Sequence, residues 1–128
     1  MQAMSVYLTV FLGAGVGGAL RHAVNSLAVS LMGIGFPYGT MAVNIIGSFV
    51  MGFMVEWFAR KVDPGQSWRL FLTTGLLGGF TTFSTFSLDT ALFYERGQYG
   101  VGALYVGGSV LVSLVCVFAG LSTVRAIW

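Results

Sequence analysis

Residues 101–124 contain no charged side chain, and neither do residues 70–88. Apolar runs of about 20 residues are what a helix needs to cross the hydrocarbon of a bilayer. Two further stretches come close: 6–31, interrupted only by Arg21 and His22, and 39–58, with Glu56 near its end. Composition points the same way, since 56% of residues are hydrophobic and 8% charged, against about 25% charged in soluble domains. The runs therefore predict an all-α membrane protein of four transmembrane helices, forming a single domain over residues 1–128. The connectors GIGFPYG, RKVDPGQSW and ERGQYG are short, and no soluble domain is expected. The first run lacks a basic leader and carries Arg21 within it, so it is not expected to be a cleaved signal peptide.

The same residues exclude several classes. Six basic and four acidic side chains are too few and too scattered for a nucleic-acid surface, so no nucleic-acid partner is expected. Cys116 is the only cysteine and His22 the only histidine, which rules out an internal disulfide and a thiolate or imidazole metal cluster. No nucleotide motif is present, and no catalytic constellation emerges. Four spans would put Arg60, Lys61, Arg69 and Arg125 on one side against Arg21 and Arg96 on the other, a weak instruction under the positive-inside rule.

Small residues recur at four-residue spacing: Gly13/Gly17, Ala14/Gly18 and Gly15/Ala19 in the first run, Ser48/Gly52 in the second, Gly75/Gly79 in the third. Such pairs let helix backbones approach closely in lipid. A four-helix bundle of this size has little room for an aqueous path through its own middle, so an oligomer is expected.

Polar side chains inside the runs need partners, because unpaired polar groups in hydrocarbon are costly. Asn44 lies early in the second run. Tyr105, Ser109 and Ser113 recur along one face of the fourth, a stripe that serves either interhelical hydrogen bonding or a polar path. The third run reads GLLGGFTTFSTFSLD over residues 75–89. Glycines at 75, 78 and 79 just before Thr81 and Thr82 predict an interruption of the helix near mid-membrane. Such a break exposes carbonyls at one half-helix end and amides at the next. Phe83 and Phe86 then share a face, where their positive ring edges can favour an anion or simply pack.

Those motifs, GGALR at 17–21, GTMAVNIIGSFVMG at 39–52 and above all GLLGGFTTFSTFSLD at 75–89, resemble the signatures of the Fluc family of fluoride channels, also called CrcB proteins. The resemblance implies a dual-topology, antiparallel homodimer in the bacterial inner membrane, a multi-pass protein passing fluoride passively outward through two pores along the subunit interface. It makes Phe83 and Phe86 the pore-lining aromatics, Asn44 a donor beside the path, Ser84 and Thr85 hydroxyls near it, and Tyr105, Ser109 and Ser113 a polar track. It also implies a structural sodium ion held at the break by backbone carbonyls, at Gly78 and Thr81. Asp89 stands where many relatives carry glutamate, and His22 where an aromatic is common. Two other classes are compatible with four small spans: a dual-topology proton-coupled exporter, which would need a membrane-embedded carboxylate that the first run lacks, and a non-transporting assembly subunit, which leaves Asn44 and the hydroxyl clusters unexplained.

Overall fold

The computed structural model describes residues 2–127, and among them every regular element is helical. Helix α1 spans Gln2–Met32 and α2 spans Tyr38–Arg60. The third segment is composite: α3 (Gln66–Leu70) runs into a π-helix (Phe71–Leu77) and one closing turn, α4 (Gly78–Phe80). Two extended residues follow before α5 (Phe83–Glu95), and α6 spans Tyr99–Ile127. Three of these helices, α1, α2 and α6, are long and apolar enough to cross a membrane. The fourth expected span is not one helix, because it is divided at Thr81 and Thr82.

Local chemistry sets the ends. Gly33 and Gly97 take positive φ, 77° and 73°, the left-handed turn that commonly closes a helix after its last residue. Pro37 precedes α2, where its missing N–H costs no helical hydrogen bond. In the third segment the Thr73 hydroxyl donates back to the Arg69 carbonyl at 2.6 Å, and such back-bonding competes with the ordinary helical ladder. The ladder around it is the wider π type, which is rare beyond single turns and frequent at functional sites.

Glycine decides which helices touch. Side chains at Gly13 and Gly17 would collide with the Phe71 and Leu76 carbonyls, and one at Gly79 would run into Ala14. The small face of α1 thus seats directly on the π-helix and α4. Gly52 of α2 meets the Val117 carbonyl of α6, and Gly120 meets the Phe49 carbonyl in return, so these two backbones are in contact. Of Gly15 and Gly18, which share the same spacing, a side chain at the first would meet nothing within 4 Å of its Cβ and at the second only Arg21 Nη2 at 3.9 Å. A small core of Phe86, Phe93 and Tyr105 lies between α5 and α6, with Phe36 and Met41 packed against it.

Candidate functional site

The break is the centre of the site. Thr81 (φ −85°, ψ 159°) and Thr82 (φ −152°, ψ 120°) are extended, while Gly78 is helical (φ −62°, ψ −37°). The expected interruption therefore begins later than the glycines suggested: Gly78 and Gly79 serve close packing and an open face, and the threonines carry the irregular backbone.

Asn44 holds that backbone. Its Nδ2 donates to the Thr82 carbonyl at 3.0 Å, and its Oδ1 accepts from the Thr82 N–H at 2.8 Å. In a continuous helix the Thr82 N–H would donate to the Gly78 carbonyl; here the Asn44 amide takes it. The Thr82 hydroxyl then caps α5, accepting from the Thr85 N–H at 3.2 Å, as an N-cap threonine should. The Thr85 N–H is in turn lost to the carbonyl of Thr81. From the other side, Arg21 of α1 donates Nε to the Gly79 carbonyl at 3.0 Å.

This accounts for most of the hydroxyls crowded after the glycines. The sequence required partners for them, and several find one on their own chain: Thr81 on the Leu77 carbonyl, Ser87 on Phe83, Thr90 on Phe86. Ser84 and Thr85 form a local cluster with the Thr82 hydroxyl at 3.3 and 3.2 Å. A short hydroxyl side chain can satisfy itself on a nearby carbonyl.

Five of the eight residues expected along a fluoride path converge, and Thr81, expected at a cation site, lies with them. Asn44, Phe83, Phe86, Ser109 and Ser113, with Thr81, Thr82 and Val110, line one groove of about 240 Å³. Ser109 is 4% exposed, and the buried hydroxyl oxygens of Ser109 and Ser113 have no hydrogen-bond partner. Buried polar atoms left unpaired are uncommon and call for a specific explanation. The two phenylalanine rings touch, 5.6 Å between centroids and tilted by 50°, yet differ in setting. Phe83 is 78% exposed and Phe86 9%, so of the two only Phe86 packs into the core of the chain.

Tyr105, fully buried, lies behind Phe86 at 5.3 Å and donates its hydroxyl to Asp89 Oδ2 at 2.9 Å. Thr40 meets the same hydroxyl. Beyond this cluster opens a second hollow of about 330 Å³, with Asn25, Thr40, Asp89 and Arg96 among its lining. Tyr105 is thus placed between hollow and groove. Ser84 and Thr85 are outside the groove lining, and Gly78 borders a different hollow with Thr73, Thr74 and Met51.

Sequence reasoning missed the Asn44 clamp, the Arg21 contact and the Asp89–Tyr105 pair. The cap was legible, since Thr82 stands three residues before Thr85 at a helix start. The partners of Asn44 and Arg21 were not, as both are backbone atoms of a segment distant in the chain.

Residues 8–121 match the family model described as "CrcB-like protein, Camphor Resistance (CrcB)". The chain is 53% identical over 119 residues to "Fluoride-specific ion channel FluC 2" of Nitrobacter hamburgensis, covering 93% of this chain and 96% of that protein. It is 57% identical over 118 residues to "Fluoride-specific ion channel FluC" of Methylobacterium nodulans, covering 92% and 94%. The protein of the same name from Granulibacter bethesdensis is 51% identical over 124 residues, covering 97% and 98%.

Proposed function

Since the chain belongs to the CrcB family, we propose that it is a fluoride-selective channel of the bacterial inner membrane, a single-domain, multi-pass protein that lets fluoride leave passively through two pores between antiparallel copies. The observation that carries this reading is the groove, where the unpartnered Ser109 and Ser113 hydroxyls face the Phe83 and Phe86 rings. Fluoride is small and strongly hydrated, and must exchange its water for donors that release it again. Two hydroxyls and two ring edges offer partial positive charge without an ammonium that would hold the ion too tightly. Asn44 supports the path by fixing the backbone of Thr82, and its second amide proton remains to face the groove.

The groove is open along one side, as half a pore would be. Phe83, Gly15, Gly18 and Gly78 present open faces, which suits a second copy laid against the break. The weak charge bias suits insertion in both orientations.

The donor set also fits a sodium ion. The Gly78 and Thr81 carbonyls have lost their helical N–H donors to Asn44 Oδ1 and Thr82 Oγ1, and paired breaks in two copies would offer four such oxygens. A hard cation bound there would supply positive charge to carbonyls that have no helical donor.

A proton-coupled exporter is less well served. Glu56 is engaged by Arg60 and Arg125 and Asp89 by Tyr105, and neither carboxylate lines the groove. The deciding experiment is efflux from liposomes containing the purified chain. Fluoride release with no accompanying proton flux supports the channel, drug-driven proton flux the exporter, and silence an assembly subunit.

A further inference from the structure

The C-terminal ends of α2 and α6 meet around one carboxylate. Glu56 is 9% exposed; it accepts from Arg60, one turn onward, and from Arg125 of α6, whose Nη2 lies 3.3 Å from Oε2 and Nε 3.3 Å from Oε1. Two guanidiniums carry about ten N–H donors between them, far more than one carboxylate accepts. Both arginine side chains are half exposed, so the surplus turns outward, and Lys61 follows directly in the chain. The cluster keeps a net positive charge after Glu56 has cancelled one arginine.

Leading away from it along α2 is an aromatic ridge. Phe49 stacks on Phe53 at 6.4 Å and Phe53 on Trp57 at 5.6 Å, with interplanar angles of 26° and 17°. With Val50, Met54 and Phe58 these rings line an apolar hollow of about 400 Å³. Positions 49, 53, 57 and 60 share one helix face, so the hollow runs toward Arg60. It shares no residue with the serine and phenylalanine groove.

We propose that this is a binding site for one anionic phospholipid, its phosphate between Arg60 and Arg125 and an acyl chain along Phe49, Phe53 and Trp57. Charge selects this occupant over a second copy of the chain. Of the four acidic residues, Glu56, Asp63 and Asp89 are already engaged by Arg60 and Arg125, by Arg69 and by Tyr105, which leaves only Glu95 to answer the arginines. A phosphodiester above a hydrocarbon chain matches the whole feature, a cationic head at the membrane edge over an apolar trough. The proposal needs only that the helices lie in a bilayer, and so stands apart from what the protein conducts.

The test uses the full chain with Trp68→Phe and Trp128→Phe, which leaves Trp57 as its only tryptophan. It is reconstituted in mixed phosphatidylglycerol and phosphatidylcholine vesicles, with bromine on the acyl chains of one lipid or the other. Brominated phosphatidylglycerol should quench Trp57 more strongly at equal mole fraction. Arg125→Gln, which leaves the Arg60–Glu56 pair in place, should lower the preference about fivefold. Glu56→Gln, which releases both guanidiniums, should raise it. Equal quenching by the two lipids, or a preference that neither variant moves, would overturn the proposal. So would a Trp57 that neither lipid quenches, because a second copy then covers the ridge.

Discussion

Replacing Asn44 with alanine removes both hydrogen bonds to Thr82 and leaves its N–H without another protein partner. Two interhelical hydrogen bonds of average strength in a membrane protein are worth about 1.2 kcal/mol together. The two groups are not alike: the Thr82 C=O, at the N-cap of α5, keeps the first intrahelical bond, whereas the N–H sits in the break with no helical acceptor to return to. Orphaning one buried polar group costs about 1–3 kcal/mol, and the carbonyl's second bond adds about 0.6 kcal/mol. The N–H is only half buried and borders the groove, where water can reach it, which keeps the expected loss at about 1–3 kcal/mol. Amide hydrogen exchange at Thr82 reads this directly. Protection should fall by about 5- to 150-fold if the local opening reflects the same loss, and thermal unfolding in detergent should shift in parallel. Asn44→Ala within about 0.5 kcal/mol of the parent, with Thr82 protection unchanged, would refute the clamp.

Gly120→Val should force α2 and α6 apart, since its side chain runs into the Phe49 carbonyl, at a cost of about 1–3 kcal/mol or more by thermal unfolding. Gly78→Val should leave the chain folded, because a Cβ there meets only the Thr73 carbonyl at 3.8 Å and the backbone is helical; size-exclusion should nevertheless show loss of the proposed dimer, and a dimer that survives would remove the break from the subunit contact. Phe83→Ile should abolish most fluoride efflux without destabilising the chain, while Phe86→Ile should also lose about 1 kcal/mol of ring contact with Tyr105; unchanged efflux in both would return the rings to ordinary packing. Exchange of sodium for a large organic cation during purification should weaken the dimer on size-exclusion, and indifference to the cation would eliminate the carbonyl site.

How far the sequence reached depended on the range of the forces concerned. The charge-free runs, the close-approach glycines and the helix interruption near Thr81 are consequences of chemistry carried by neighbouring residues: hydrocarbon tolerates no unpaired backbone, and small residues allow backbones to touch. Even the stripe of Ser109 and Ser113 follows from helical periodicity. What tertiary structure alone decided was which polar group answers which. Asn44, read as a donor beside a path, is bound to Thr82; the Thr81 and Ser87 hydroxyls, which needed some partner, are tied to carbonyls of their own helix, and Phe83 and Phe86, alike in sequence, part company in exposure. A hydrogen bond is satisfied by any partner within about 3 Å, and no local pattern says whether that partner is four residues away or on another helix. Only the packing of α1 and α2 against the break chose the Gly79 carbonyl for Arg21 and the Thr82 backbone for Asn44, leaving Ser109 and Ser113 as the buried hydroxyls without an answer.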